Sequence, residues 1–306
     1  MKTLHVHIIA FISMFFWGMS YIWSKIVFEV YSPLTTIYFR LLISFVVLFI
    51  FGYATGQLKP VRKEDRWLFW GSAFLNPFLY FVGENYGLSL VSASLSAIIV
   101  ATIPLFAPFA GWFFFREKLK PLNVAGLILS FAGLLLIILN QNFTLSANPW
   151  GILLLFLAVF SAVFYVVALK KLSHRYNAIT IIAWQNMMGS LYFLPFFLFI
   201  DGTAFINTRP GIIPVISLLM LGIFASSLAF VLYTLVVKYL GVIKSSLYTN
   251  LIPVFTVIFS FYMLGESFSM RKIAGMVVVI FGVILSETGK ISFPKAIRNK
   301  KHLTPL

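Results

Sequence analysis

The chain has 306 residues, of which 61% are hydrophobic and only 10% are charged. Soluble domains carry about 25% charged residues, so this composition excludes an ordinary soluble protein and indicates a membrane protein. The formal net charge is +15, but the basic residues are distributed over many loops, which argues against nucleic acid as a partner.

Continuous apolar blocks of about 20 residues follow one another along the chain, and each can cross a hydrocarbon layer about 30 Å thick. The blocks do not alternate between apolar and polar residues, which predicts helices rather than barrel strands. We therefore predict an all-α integral membrane protein with ten transmembrane helices. The predicted spans are about 5–28, 33–56, 67–89, 92–115, 121–140, 149–172, 178–200, 211–237, 242–264 and 270–287.

A motif in the fourth and fifth blocks returns in the ninth and tenth. Pro104 and Glu117 are repeated 149 residues later as Pro253 and Glu266. The same separation relates two glycine pairs, which are Gly126 with Gly275 and Gly133 with Gly282. Matches at one offset without gaps indicate an internal duplication, and five helices per copy would invert the second copy. We predict two inverted five-helix repeats, at residues 1–140 and 149–287, and a basic tail at 288–306.

Lysine and arginine fall mainly in alternate loops. With the N-terminus in the cytoplasm, 18 basic residues lie on the cytoplasmic side and 3 on the outer side, as the positive-inside rule requires. We therefore expect a multi-pass protein with both termini in the cytoplasm, in the inner membrane of a bacterium. The lipid bilayer is then an expected partner, and the basic tail can contact anionic lipid.

Several short motifs resemble those of the EamA family, ten-helix permeases of the drug/metabolite transporter superfamily. They are Phe16-Trp17-Gly18, Phe39-Arg40, the stretch from Pro104 through Arg116-Glu117-Lys118-Leu119 to Gly133, and the second copy from Gly265-Glu266 to Gly282. The resemblance covers about residues 5–287. It implies two repeats, cytoplasmic termini and a central cavity walled by helices 1–4 and 6–9, with helices 5 and 10 at the periphery. Members of the family carry amino acids, metabolites, nucleotide sugars or drugs, so the substrate stays open.

Inverted repeats are typical of secondary transporters, whose substrate site lies near the midplane between the repeats. We predict a permease or exporter of small metabolites, amino-acid-like compounds or drugs that works by alternating access. The alternative is a non-transport membrane protein, such as a lipid-modifying enzyme or a scaffold. We expect no enzymatic activity, no cofactor and no metal, because the sequence has no cysteine and no catalytic or ligand cluster. Transport direction, proton coupling and a homodimeric assembly stay open.

Polar side chains inside the spans are costly in lipid and usually face an interior. They form stripes on helices 1, 2, 3, 7 and 9, which predicts a polar cavity with aromatic walls for a small-molecule substrate. The predicted cavity residues are Trp17, Tyr21, Asn76, Tyr80, Trp184, Gln185, Asn186, Tyr248 and Asn250. Taken singly, each is also compatible with packing against a neighbouring helix.

Two opposite charges lie at similar predicted depths. Arg40 is about 10 Å and Glu84 about 8 Å below the outer face, at a helical rise of ~1.5 Å per residue. Each charge is costly alone in lipid, so we expect the two to pair, with Lys25 as the rival partner of Glu84. The sequence is compatible with a permanent ion pair and with an outer gate or proton-coupling site.

The repeated motif also has a structural interpretation. Glu117 and Glu266 precede helices 5 and 10, where a carboxylate can accept hydrogen bonds from the free amides of a helix N-terminus. Glycines seven residues apart share a helix face and allow another helix to approach closely. Pro104 and Pro253 each kink a helix, and the sequence does not decide whether the kink serves packing or frees a carbonyl for the cavity.

Overall fold

The first half of the chain forms five helical segments. The structure is a computed structural model, and it describes residues 3–106, 121–139 and 147–288. Helix α1 is Thr3–Phe28, α2 is Pro33–Ala54, α4 is Ala93–Phe106 and α5 is Pro121–Ile138. Helix α3 covers 66–90 and is assembled from Arg66–Ala73, the π-helical stretches Phe74–Leu79 and Val82–Tyr86, and Gly87–Leu90. A short 3₁₀ turn, Lys63–Asp65, precedes it.

The second half has the same order of segments. Helix α6 is Pro149–Ser173, α7 is Ala178–Asn207, α8 is Ile212–Leu240, α9 is Leu251–Leu264 and α10 is Met270–Thr288. Among the described residues, five helices are long and apolar enough to cross a membrane (α1, α2, α6, α7 and α8), and α4, α5 and α9 are shorter apolar helices. All regular elements in the described residues are helices, so the protein is an all-α integral membrane protein, as predicted.

The junction between the eighth and ninth spans differs from the prediction. We expected a loop between residues 237 and 242, but the backbone is helical over Phe230–Thr249, so the connection contains no extended loop. The reason is local: the stretch contains no proline, and a single glycine, Gly241, costs a helix only about 1 kcal/mol. The polar residues that suggested a loop therefore lie on helix.

Contacts with α1 show that the chain still reverses its direction at this junction. Val236 packs beside Val6, near the start of α1. Twelve residues later Tyr248 is hydrogen-bonded to His7, again near that start. Thr256 then reaches the carbonyl of Gly18, in the middle of α1. The segments before and after the junction therefore run in opposite directions along α1, as separate spans require.

The repeated glycines bring α5 and α10 together. A Cβ atom built on Gly133 would lie only 2.7 Å from the backbone nitrogen of Val279, so no larger residue fits without moving a helix. The carbonyl oxygen of Gly275 would lie 2.8 Å from a Cβ on Gly133, and that of Gly126 would lie 2.7 Å from a Cβ on Gly282. Gly133 thus meets Gly275, the counterpart of Gly126, and Gly126 meets Gly282, the counterpart of Gly133.

A twofold relation between the copies follows from that exchange. At the centre of the α5–α10 contact, the hydroxyl of Ser130 donates to the carbonyl of Val279 at 3.0 Å, and Val279 is the residue 149 positions after Ser130. Two equivalent positions meet only on a symmetry axis, and the axis here is perpendicular to both helices. This is the geometry of inverted repeats, and it confirms the predicted fold class.

The loops lie on two faces because successive helices run antiparallel. What we call the basic face carries residues 55–65 and 174–177, which are joined where the Asp65 carboxylate accepts hydrogen bonds from Arg175 and Tyr176. What we call the opposite face carries residues 29–32, 91–92, 208–211 and 265–269.

Candidate functional site

A cavity lies inside the bundle, between the two copies. Its walls come from α1, α2, α3 and α4 of the first copy and from α6, α8 and the region around α9 of the second. Aromatic rings dominate the walls, and they belong to Trp17, Tyr21, Tyr80, Phe81, Tyr165, Phe230 and Tyr233. The free volume is about 80 Å³, which is below the ~300–1,000 Å³ of pockets that enclose drug-sized ligands.

The cavity lies within the bundle, at a distance from both faces. Its wall residues nearest the opposite face are Tyr21, Arg40, Glu84 and Val100. Each is six or seven residues from the end of its helix, which leaves about 10 Å of packed protein at ~1.5 Å per residue. The cavity is therefore closed toward the opposite face by packed helix ends.

An ion pair forms the end of the cavity that points to the opposite face. Nη1 of Arg40 lies 3.8 Å from Oε2 of Glu84, and both side chains are more than nine-tenths buried. This distance exceeds that of an N–H···O hydrogen bond, so the contact is electrostatic. The two residues that the sequence placed at one depth therefore do lie together.

Each charge of the pair also has partners of its own. Nε of Arg40 donates to Oγ of Ser226 at 2.9 Å, and the guanidinium lies over the ring of Phe81 at 4.2 Å. The hydroxyl of Tyr80 donates to Oε1 of Glu84 at 2.8 Å, and Tyr21 is a second hydrogen-bond partner of that carboxylate. Among the described residues, the Nη atoms of Arg40 have no hydrogen-bond acceptor. They remain available to a ligand in the cavity.

Interrupted helices surround the site. Asn76, in the wall formed by α3, has non-helical backbone angles of φ −140° and ψ 117°. Helix α4 breaks into a turn at Ala101, and the helix before α9 ends at Asn250, 149 residues later. Both breaks lie three residues before a repeated proline, Pro104 or Pro253. Broken helices around a central site are typical of secondary transporters.

The predicted cavity residues of α1 and α3 do line the cavity. These are Trp17, Tyr21, Asn76 and Tyr80, together with the charged pair. The indole nitrogen of Trp17 donates to the carbonyl of Ala225 at 3.3 Å, which ties this wall to α8.

The three predicted residues of α7 lie outside the cavity. Trp184 is near the basic face and donates to the carbonyl of Lys59 at 3.0 Å. Gln185 binds Tyr165 and Ser72, both at 2.9 Å. Asn186 donates to Ser44 at 2.6 Å and to the carbonyl of Ser226 at 3.1 Å. Their polar groups join α7 to neighbouring helices and, for Trp184, to the loop at residues 55–65, which is the packing role that the sequence left open.

The two predicted residues near α9 also lie outside the cavity. Tyr248 is hydrogen-bonded to His7. The side-chain oxygen of Asn250 is buried without a partner in the described part of the chain, while its neighbour Thr249 lines the cavity. One residue along a helix changes the direction of a side chain by about 100°, so a stripe read from sequence can miss the wall by one position.

The repeated glutamates need a correction. Glu266 does not cap α10, which it precedes: its carboxylate accepts hydrogen bonds from the backbone nitrogens of Ala93 and Ser94, at the start of α4. Lys25 interacts electrostatically with Glu266 and is not the partner of Glu84. The partners of Glu266 and of Lys25 both depend on contacts between segments that are far apart in the sequence. Glu117 lies outside the described residues.

No stripe was predicted for α6 or α8, although both form part of the wall. Ala162, Tyr165, Val166 and Leu169 follow at helical spacing on one face of α6, and Phe230, Tyr233 and Thr234 do the same on α8. These faces are mostly apolar or aromatic, so the sequence alone does not distinguish them from lipid-facing or core surfaces. One tyrosine on each face, Tyr165 on α6 and Tyr233 on α8, was the available signal.

The sequence profile of the EamA-like transporter family matches residues 5–139 and 149–288, which together make up most of the chain. The chain belongs to the EamA-like transporter family. The match is double, in agreement with the twofold relation between the copies. This EamA-like protein is therefore an integral, multi-pass membrane transporter.

Its relatives in bacteria and archaea are also described as transporters. The uncharacterized transporter YetK of Bacillus subtilis is 28% identical over 256 residues, covering 81% of this chain and 76% of the relative. An uncharacterized transporter of Archaeoglobus fulgidus is 27% identical over 284 residues, covering 92% and 96%. A solved crystal structure with a TM-score of 0.69 and 16% identity covers 92% of this chain and 96% of its own, and it shows the same fold.

Proposed function

We propose that this EamA-like transporter carries small zwitterionic molecules, such as amino-acid-like metabolites, by alternating access through the cavity between its copies. The observation that carries the proposal is the Arg40–Glu84 pair at the end of the cavity. Its two charges are 3.8 Å apart without a direct hydrogen bond, and each is stabilised by other groups. Each charge therefore has at least one partner besides the other charge.

A zwitterion matches this arrangement. Its carboxylate can accept hydrogen bonds from the Nη atoms of Arg40, and its ammonium group can donate to Glu84. Charge-assisted hydrogen bonds of this kind are stronger than neutral ones. The aromatic walls, which include Trp17 and Tyr80, can hold the apolar part of the same molecule.

Alternating access is supported by the closure of the cavity toward the opposite face, from which about 10 Å of packed helix ends separate it. Under the positive-inside rule the basic face is cytoplasmic. The present conformation is then closed to the outside, and the twofold-related copies supply the exchange of states.

The test is an uptake panel in proteoliposomes. Radiolabelled amino acids, nucleosides and organic cations would be offered with and without a pH gradient, against liposomes without protein. For the best zwitterion, competition by its methyl ester and by its N-acetyl derivative isolates the carboxylate and the ammonium. We expect each blocked analogue to compete about 10- to 100-fold less well, the range that corresponds to one lost charge-assisted contact.

Trp184→Phe is the matched control, because it changes an aromatic residue outside the cavity. It should transport as well as the unmodified protein, whereas Arg40→Gln and Glu84→Gln should lose uptake. Equal competition by the blocked analogues, or preferential uptake of nucleosides or organic cations, would overturn the zwitterion assignment.

A further inference from the structure

The carboxylate of Glu266 joins the two copies on the opposite face. It accepts hydrogen bonds from the backbone nitrogens of Ala93, at 2.8 Å, and Ser94, at 3.4 Å, and from the hydroxyl of Ser94. The same hydroxyl lies 2.8 Å from Oγ of Ser260 in α9. Lys25 of α1 adds a positive charge nearby. One side chain thus connects the N-terminus of α4 with the C-terminal end of α9.

The turn that carries Glu266 is built to hold this position. Gly265 has φ 65° and ψ 23°, a left-handed conformation that residues with a side chain rarely adopt. The backbone nitrogen of Glu266 donates to the carbonyl of Ser260 at 3.1 Å. The end of α9 is therefore closed in a way that directs the carboxylate toward α4.

The contacts of Glu266 connect two helices that line the cavity. Val100 and Ile103 of α4 and Ile252 of α9 are wall residues. Val100 is seven residues from Ala93, or about 10 Å along the helix. Opening the cavity to the opposite face requires these helix ends to separate, since they belong to the packed layer between the cavity and that face.

A second carboxylate on the same face provides a contrast. Asp201 of α7 accepts hydrogen bonds from Ser32 and Thr35 at the start of α2. The α2–α7 pair is also tied at the basic face, where the carbonyl of Gln57 accepts from Asn177 and Thr180. Because contacts join this pair at both ends, we expect it to move as one unit without opening the Asp201 contact.

We infer that Glu266 is a latch: a positioning residue that holds the opposite face closed in the present conformation and releases α4 when the cavity opens to that face. The inference rests on the proposed alternating access. It assigns to Glu266 a role in the transport cycle, in addition to capping a helix.

The test measures access to the cavity and needs no substrate. The chain has no cysteine, so Ser20→Cys, in the cavity wall, provides a single reactive thiol. A charged, membrane-impermeant methanethiosulfonate reagent is applied from the opposite face, and the rate of labelling is compared in the wild-type background, Glu266→Gln and Asp201→Asn. Melting temperature and gel filtration show whether each variant is folded.

We expect Glu266→Gln to raise the labelling rate from the opposite face by about tenfold, the factor that corresponds to one weakened charge-assisted contact, while Asp201→Asn leaves it unchanged. Ser94→Ala, which removes one donor and keeps the carboxylate, should give a smaller rise and replaces Glu266→Gln if that variant does not fold. An unchanged rate in the latch variants, or an equal rise in Asp201→Asn, would overturn the latch. A rise without uptake of any panel solute would support the latch and contradict only the proposed substrate class.

Discussion

The Arg40–Glu84 pair can be tested by its contribution to stability. At 3.8 Å and an effective dielectric constant of about 20, two unit charges attract by about 4 kcal/mol. Part of this attraction is offset by the loss of hydration of both groups. We therefore expect Arg40→Gln and Glu84→Gln each to lower the free energy of unfolding by about 2–3 kcal/mol, because each leaves one buried charge without its counter-charge.

The double variant distinguishes the pair from two independent residues. Once one partner is gone, removal of the other no longer breaks the contact, so the double variant should lose about 2 kcal/mol less than the sum of the single losses. The measurement is unfolding of the purified protein in detergent, followed by tryptophan fluorescence for all four proteins of the cycle. Additive losses, within about 0.5 kcal/mol, would refute the reasoning and show that Ser226 and Tyr80 hold the two charges separately.

Three further predictions follow from the fold and the cavity. Gly133→Ala should destabilise the protein by about 1–3 kcal/mol, because its Cβ meets the backbone of α10. The control Gly71→Ala, at a position with open space around it, should stabilise the protein by up to about 1 kcal/mol. Equal melting temperatures of the two variants would contradict the α5–α10 contact. Trp17→Ala should raise the solute concentration that gives half-maximal uptake by about tenfold, and Trp184→Ala should raise it by less than about twofold. Similar effects in the two variants would mean that neither ring contacts the substrate. A cysteine at Arg62 should react only with reagent in the cytoplasm, and reaction from outside would reverse the orientation.

Much of the architecture could be predicted from the sequence, because long apolar blocks and a fixed repeat offset each have few structural solutions. The similar depths of Arg40 and Glu84 could also be predicted, because the rise of a helix converts residue number into depth. The predicted residues on α1 and α3 line the cavity, because polar groups there lie on the inner face.

What the sequence could not supply was the pairing of helices. The polar stripe of α7 satisfies neighbouring helices, and its residues, such as Gln185, are indistinguishable by type from cavity residues. Glu266 lies beside α10 in sequence but beside α4 in space. The helical stretch over Phe230–Thr249 was missed because a few polar residues suggested a loop. Each of these points depends on contacts between segments far apart in the chain.

The claim that this cavity is the transport path is tested most directly by blocking it. In Ser20→Cys, alkylation of the cavity thiol should abolish proteoliposome uptake of the best panel solute, and excess solute should slow the alkylation. In a matched Trp184→Cys protein, modified outside the cavity, uptake should persist. Full uptake by alkylated Ser20→Cys would contradict the account.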